Sequence, residues 1–139
     1  MLSNYPACFF KEENGYSVVF PDLNYLATSG ESLDKALAMA VDCLAGYLYW
    51  LDKDKETPPP RSDIKDISPE KIARELEINY SECFVNIVTV DVDEYAKLHF
   101  EKTVRKNLTI PAWLNDAAVT RGINFSRVLK DALIKQLNL

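Results

Sequence analysis

The stretch Thr103-Val104-Arg105-Lys106-Asn107-Leu108-Thr109-Ile110-Pro111 alternates in polarity with a period of two. In an extended chain Val104, Leu108 and Ile110 fall on one side, and Thr103, Arg105, Asn107 and Thr109 on the other. Pro111 ends such a strand, and its fixed φ suits the first turn of a helix. Downstream spacing predicts a helix from about Ala112 to Arg121, with Leu114, Ala117 and Ala118 inward and Gly122 as its stop. Asn124 then caps a second helix, whose stripe is Val128, Leu129, Ala132, Leu133 and Leu137. The segment reads as strand, helix, turn, helix.

A segment this short cannot bury enough surface alone, and it contains no cysteine to staple it. Pairing with a second copy solves the problem. Two strands would form an antiparallel ribbon whose apolar faces close over four helices. The opposite face would then present Thr103, Arg105, Asn107 and Thr109 twice. Arginine reads guanine, asparagine reads adenine, and threonine meets either base edge or a thymine methyl. A two-stranded ribbon fits the major groove of double-stranded DNA. Lys102, Asn124, Ser126 and Arg127 are the expected phosphate contacts, through charge and the positive end of the second helix. Two other readings compete: a tail used for association only, and a helix-turn-helix. The second leaves the alternation of polar residues along the strand unexplained.

Charge divides the chain at the same place. From Met1 to Glu101 there are 9 Lys and Arg against 19 Asp and Glu, a balance of −10. From Lys102 to Leu139 there are 7 against 2, a balance of +5, or +10 for a pair of copies. The formal net charge of −5 hides this split, which points to two partners of opposite sign.

The acidic part has its own pattern. Tyr5 to Phe10 and Tyr16 to Phe20 read as a hairpin around Glu12-Glu13-Asn14-Gly15, with Asn-Gly as the turn signal. A third short strand is expected from about Tyr25 to Thr28, before Gly30. Leu33, Leu37, Ala40, Val41, Leu44, Leu48 and Leu51 then recur at helical spacing, with Ser32 as cap. Pro58-Pro59-Pro60 forces an extended connector. Ser68-Pro69-Glu70 opens a short helix with Ile72 and Leu76 on one face. Phe84 to Val92 has apolar residues on both faces, as in a strand interior to a sheet or covered by a partner. Asp93 to Phe100 is compatible with one or two turns of helix leading out of this domain. The expected division is therefore an α+β domain at 1–92, a linker at 93–101 and the DNA-binding and dimerisation segment at 102–139. The order of elements in the first part is compatible with a truncated ribonuclease H-like sheet carrying a long packed helix.

Residues 103–137 resemble the ribbon-helix-helix repressors, through Arg-x-Asn-x-Thr-x-Pro at 105–111 followed by Gly122 and Ser126. Lys106 stands where that family usually has an inward apolar residue, and Phe125 where it often has a basic one. Gly15-Tyr16-Ser17-Val18-Val19-Phe20-Pro21-Asp22-Leu23 followed by Thr28-Ser29-Gly30-Glu31-Ser32-Leu33 resembles the HicB antitoxins. That resemblance implies a toxin–antitoxin role. The first domain would cover a HicA-type toxin, a small basic ribonuclease with a double-stranded-RNA-binding-like fold and a catalytic histidine. The second would repress the operon as a homodimer, with a dimer of dimers also open. An acidic surface suits a partner that grips RNA.

Catalysis by this chain would fall to Asp22, Asp91, Asp93 and Glu94, because metal-assisted nuclease chemistry needs converging carboxylates. The expectation is no enzyme, no cofactor and no metal, with His99 lacking nearby ligand residues. A repressor that senses a small molecule through its first domain is the alternative of a different class. Cys8, Cys43 and Cys83 are three, widely spaced and set in apolar stretches, so they read as reduced thiols of a cytoplasmic protein. No apolar run approaches the roughly 20 residues of a membrane span.

Overall fold

A computed structural model describes residues 2–101 and 103–139. The chain divides into two compact units, Met1–Lys102 and Thr103–Leu139.

The first unit is a four-stranded antiparallel sheet with helices on both faces. Strands β1 (Leu2–Glu12), β2 (Gly15–Phe20), β3 (Leu26–Gly30) and β4 (Glu82–Asp91) lie in the order β3-β2-β1-β4. Every neighbouring pair is antiparallel, with Cys8 opposite Val19 and Val85, and Val18 opposite Thr28. The element order β-β-β-α-α-β is the one read from sequence, and these pairings are the sheet it forms. Helix α1 (Leu33–Lys53) covers one face and α2 (Pro69–Glu75) the other.

Alternation along β1 explains why two layers are needed. Tyr5, Ala7 and Phe9 enter a core with Val18, Phe20, Ala36, Ala40, Leu44, Leu48, Val88 and Val90. Cys8 and Phe10 enter a second core with Val19, Ile72 and Ala73. Each large apolar side chain buried in this way contributes about 1.5–3 kcal/mol.

The α1 stripe is rotated from its expected position. Leu33 is exposed and Leu37, Val41 and Leu51 are half-buried, while Ala36, Ala40 and Ala45 are fully buried. Small residues let the helix lie close to the sheet, and Gly30 completes the approach. A Cβ at Gly30 would stand 2.4 Å from the Ala36 backbone nitrogen and 2.7 Å from the Lys35 carbonyl carbon. Neither atom can swing aside. Gly30→Ala is therefore expected to destabilise the unit by about 3 kcal/mol, the upper range for overpacking, and to lower its melting temperature by roughly 10–20 °C in a calorimetric scan.

The chain is tied down locally by side-chain caps. Ser32 Oγ accepts from the Lys35 N–H at 3.2 Å, and Ser68 Oγ from the Lys71 N–H at 3.3 Å. The proline connector is held at two points. Tyr5 donates its hydroxyl to the Pro59 carbonyl at 2.6 Å, and the Asp22 carboxylate accepts from Ser62 N–H at 2.8 Å and Ser62 Oγ at 2.6 Å.

Four expectations are corrected. The β1–β2 loop is Glu13-Asn14, so the Asn-Gly signal marks the turn with an offset of one residue, Gly15 already pairing with Glu12. Leu76 terminates α2 and is exposed, leaving Ile72 and Ala73 as its buried residues. Strand β4 lies at an edge, which removes the first of its two readings, interior to a sheet or covered by a partner. The segment 93–101, expected as a linker with one or two turns of helix, carries α3 (Val92–His99) and packs on the first unit: Ala96 is buried, Tyr95 donates to Asp42 at 2.8 Å and Phe100 lies near Tyr49.

The second unit holds α4 (Ala112–Thr120) and α5 (Phe125–Gln136). Gly122 has φ +66 and closes α4 with a double bond pattern, Gly122 N–H to the Val119 carbonyl and Ile123 N–H to that of Ala118, both at 3.0 Å. These two bonds satisfy carbonyls that the end of a helix leaves without partners.

Candidate nucleic-acid interface and acidic surface

Residues 103–111 form neither helix nor strand in the single chain, and Thr103, Arg105, Asn107 and Thr109 are all exposed. Lys102, the remaining basic residue expected at this end, lies outside the described residues. Alternation alone does not make a strand, because a ladder needs a neighbour to receive its N–H and C=O groups. The apolar residues of the same unit are also uncovered. Val104 is 78 % exposed, Leu108 65 % and Leu137 63 %, and no described residue of α4 or α5 is buried. Ala117, Ala118 and Ile134 alone among the described residues here reach half-burial.

Three of the predicted phosphate residues meet at the start of α5. Asn124 Oδ1 accepts from the Arg127 N–H at 3.1 Å, which makes Asn124 the cap. Its oxygen thereby takes one of the helix's orphan donors. The first-turn N–H groups of Phe125 and Ser126 have no intrahelical acceptor by geometry and point out of the positive end of the helix. A helix N-terminus of this kind favours anions, and Arg127 belongs to the same first turn.

The carboxylates weighed as a nuclease centre are occupied differently. Asp22 holds Ser62. Asp91 caps α3, accepting from the Glu94 N–H at 3.1 Å, and this bond holds its carboxyl below the usual range. Glu94 pairs with Lys97 at 3.2 Å. His99 stacks on Tyr95 at 4.1 Å between ring centres.

The first unit has further features. An open cleft of about 960 Å³ lies between the start of β1, the end of α1, the proline connector and α3, with Asp52, Lys53, Arg61, Asp93 and Lys97 at its walls. Trp50 stands 63 % exposed beside the alternating charges of Asp52-Lys53-Asp54-Lys55-Glu56, its ring edge-on to Tyr49. Helical spacing places an aromatic but cannot say on which side of a stripe it ends. Burial pushes the Cys8 thiol up to about 11, and also raises those of Cys43 and Cys83. Among the described residues no helix is long and apolar enough to cross a membrane.

Residues 5–128 match the family model for the HicB-like antitoxin of bacterial toxin-antitoxin systems. The chain belongs to this family. Among solved structures, this HicB-like chain is similar to one from a toxin-antitoxin complex of Streptococcus pneumoniae. The two are 34% identical with a TM-score of 0.62, and the match covers 98% of this chain and 99% of that one. Antitoxin HicB 2 of Photorhabdus laumondii is 37% identical over 57 residues, which are 40% of this chain and 41% of that protein. The HicB-like chain thus spans less than half the length of that curated relative. An uncharacterized 14.9 kDa protein from the rep-hol intergenic region of Haemophilus phage HP1 is 27% identical over 110 residues, 79% of this chain and 74% of that protein.

Proposed function

We propose that this HicB-like chain is an antitoxin that neutralises a HicA-type ribonuclease toxin with its first unit and represses its own operon with its second. The second unit acts as a ribbon-helix-helix homodimer on double-stranded operator DNA. The observation that carries this reading is the coincidence of the charge split with the structural division. Met1–Lys102 holds 10 basic and 19 acidic residues, a balance of −9, while Thr103–Leu139 holds 6 and 2, a balance of +4. An acidic body suits a basic RNA-gripping enzyme, and a basic tail suits a polyanion.

Dimerisation is supported by what the single chain leaves undone. The alternating segment 103–111 has no ladder partner, and the apolar residues of α4 and α5 have no cover. A second copy supplies both at once. Thr103, Arg105, Asn107 and Thr109 then face the groove, while Lys102, Ser126, Arg127 and the N-terminus capped by Asn124 meet phosphates.

A growth-rescue assay carrying a promoter reporter reads both activities together. Co-expression of the chain restores growth to cells making the cognate toxin and silences the reporter. Asn107→Ala retains rescue but weakens operator binding by about 1–3 kcal/mol, roughly 5- to 150-fold, because a bidentate contact to a base is lost. A well-folded Asn107→Ala chain with unchanged operator affinity rules out the ribbon as the reading element. Failure of the whole chain to rescue rules out the antitoxin role.

A further inference from the structure

The connection between β2 and β3 turns on two successive left-handed residues, Asn24 and Tyr25, each with φ 57°. The turn is fixed from both sides. Leu23 is buried, the Asp22 carboxylate holds Ser62, and Leu26 already pairs with Phe20. Asparagine enters the left-handed region readily, but a bulky side chain is strained there, where glycine would fit freely. The other non-glycine residues of positive φ among those described are Lys55, Glu77 and Asn138. Each stands one residue past the cap of an α-helix, a place where left-handed backbone is the ordinary way to end. Tyr25 differs: it follows a residue that is itself left-handed.

Nothing its side chain does within the fold offsets this strain. The ring is 45 % exposed and enters neither core. Its hydroxyl donates to the Glu75 carboxylate at 3.5 Å, the outer limit for such a bond. Among the described residues that carboxylate has no other hydrogen bond and no ion pair, not even with Lys71 one turn before it on α2. An aromatic ring and an unclaimed carboxylate are thus held together in solvent, on backbone that costs stability. Strain kept under such conditions points to a contact made outside the fold.

We propose that Tyr25 and Glu75 grip a lysine or arginine side chain of the basic toxin, the ring face taking the cation and the carboxylate closing on it. This docking point rests on the antitoxin reading above. Charge selects the occupant. A second copy brings another unit of balance −9, and nucleic acid brings phosphates, so both set like charge against Glu75. A ribonuclease that grips RNA brings cations. Trp50 is more exposed but less suited, because Lys53 and Lys55 follow it closely and Lys53 already lies over the adjacent Tyr49 ring at 5.1 Å.

Calorimetric titration of the full chain with a catalytically inactive cognate toxin tests this. Tyr25→Gly is expected to melt about 3–5 °C higher, because relief of left-handed strain exceeds the freedom glycine adds to the unfolded chain. The same variant is expected to bind toxin at least roughly 10-fold more weakly, with operator affinity unchanged. Tyr25→Asn tolerates the backbone but lacks the ring, and is expected to weaken toxin binding alike. Tyr25→Phe keeps the ring and is expected to stay within about threefold of the natural chain. Glu75→Gln keeps the shape but loses the charge; binding is expected to weaken about fivefold and to depend less on salt. A Tyr25→Gly chain that melts no higher shows that the ring supports the fold, and this overturns the proposal. So does natural toxin affinity in Tyr25→Gly or Glu75→Gln. Altered molar mass at unchanged toxin affinity assigns the ring to a contact between copies instead, which overturns it equally. A natural chain that leaves the toxin unbound ends the antitoxin reading itself, so the two failures differ in which chain fails to bind.

Discussion

Deleting residues 102–139 is expected to abolish operator binding while leaving toxin neutralisation largely intact in a growth-rescue assay. The first unit has every element of an independent fold. Its β1 is buried on both faces, each face has its own core, and α1, α2 and α3 are capped by Ser32, Ser68 and Asp91. None of the core residues comes from beyond Ala96. The helices of the second unit bury no described residue in the single chain, so their removal takes no core away from the first. The acidic surface remains to meet a basic ribonuclease. Rescue is expected to weaken to some extent, because losing the homodimer lowers avidity. Complete loss of rescue by a folded, soluble truncation places the toxin contact in the C-terminal unit and ends the two-partner reading.

The parts of the fold that were legible in sequence are those set by short-range chemistry. Ser32, Ser68 and Asn124 cap the helices they precede, because a side-chain oxygen three residues before an orphan N–H serves wherever the helix later packs. Gly122 ends α4 for an equally local reason, its positive φ. Long-range packing was less legible. Leucine spacing on α1 marked a broad apolar face, but only contact with the sheet at Gly30 shows that the alanines form its deepest line. Apolar residues on both faces of β4 suggested a strand interior to a sheet or covered by a partner. They instead reflect α1 and α2 on either side of an edge strand, and nothing in a period of two distinguishes these cases. Segment 93–101 read as one or two turns of helix leading out of the domain; the aromatic packing of Tyr95 and Phe100 that anchors it depends on residues some fifty positions away, Tyr49 among them. For the nucleic-acid interface, the residue types along 103–109 were legible, yet their common orientation needs a second chain.

Operator affinity is expected to fall by about three orders of magnitude between 50 and 200 mM salt, if some six phosphates are neutralised per dimer. The cations are available, since Thr103–Leu139 brings Arg105, Lys106, Arg121, Arg127, Lys130 and Lys135, with Lys102 just before it. Two copies double that number, and not all of them reach phosphate. Each contact that forms releases condensed counterions, and raising the salt concentration reverses the gain at every contact. Replacing Arg127 by alanine should remove one contact per protomer and flatten the slope of log affinity against log salt by about two for the dimer. It should weaken binding to all sequences nearly alike, because a phosphate carries no base identity. Asn107→Ala should do the reverse, relaxing sequence preference with little change in slope. Toxin binding should respond less to salt wherever apolar burial contributes, for example around the exposed Trp50. A salt slope near zero for the intact chain on its operator excludes phosphate neutralisation by the basic unit, and with it the reason for assigning DNA to that unit.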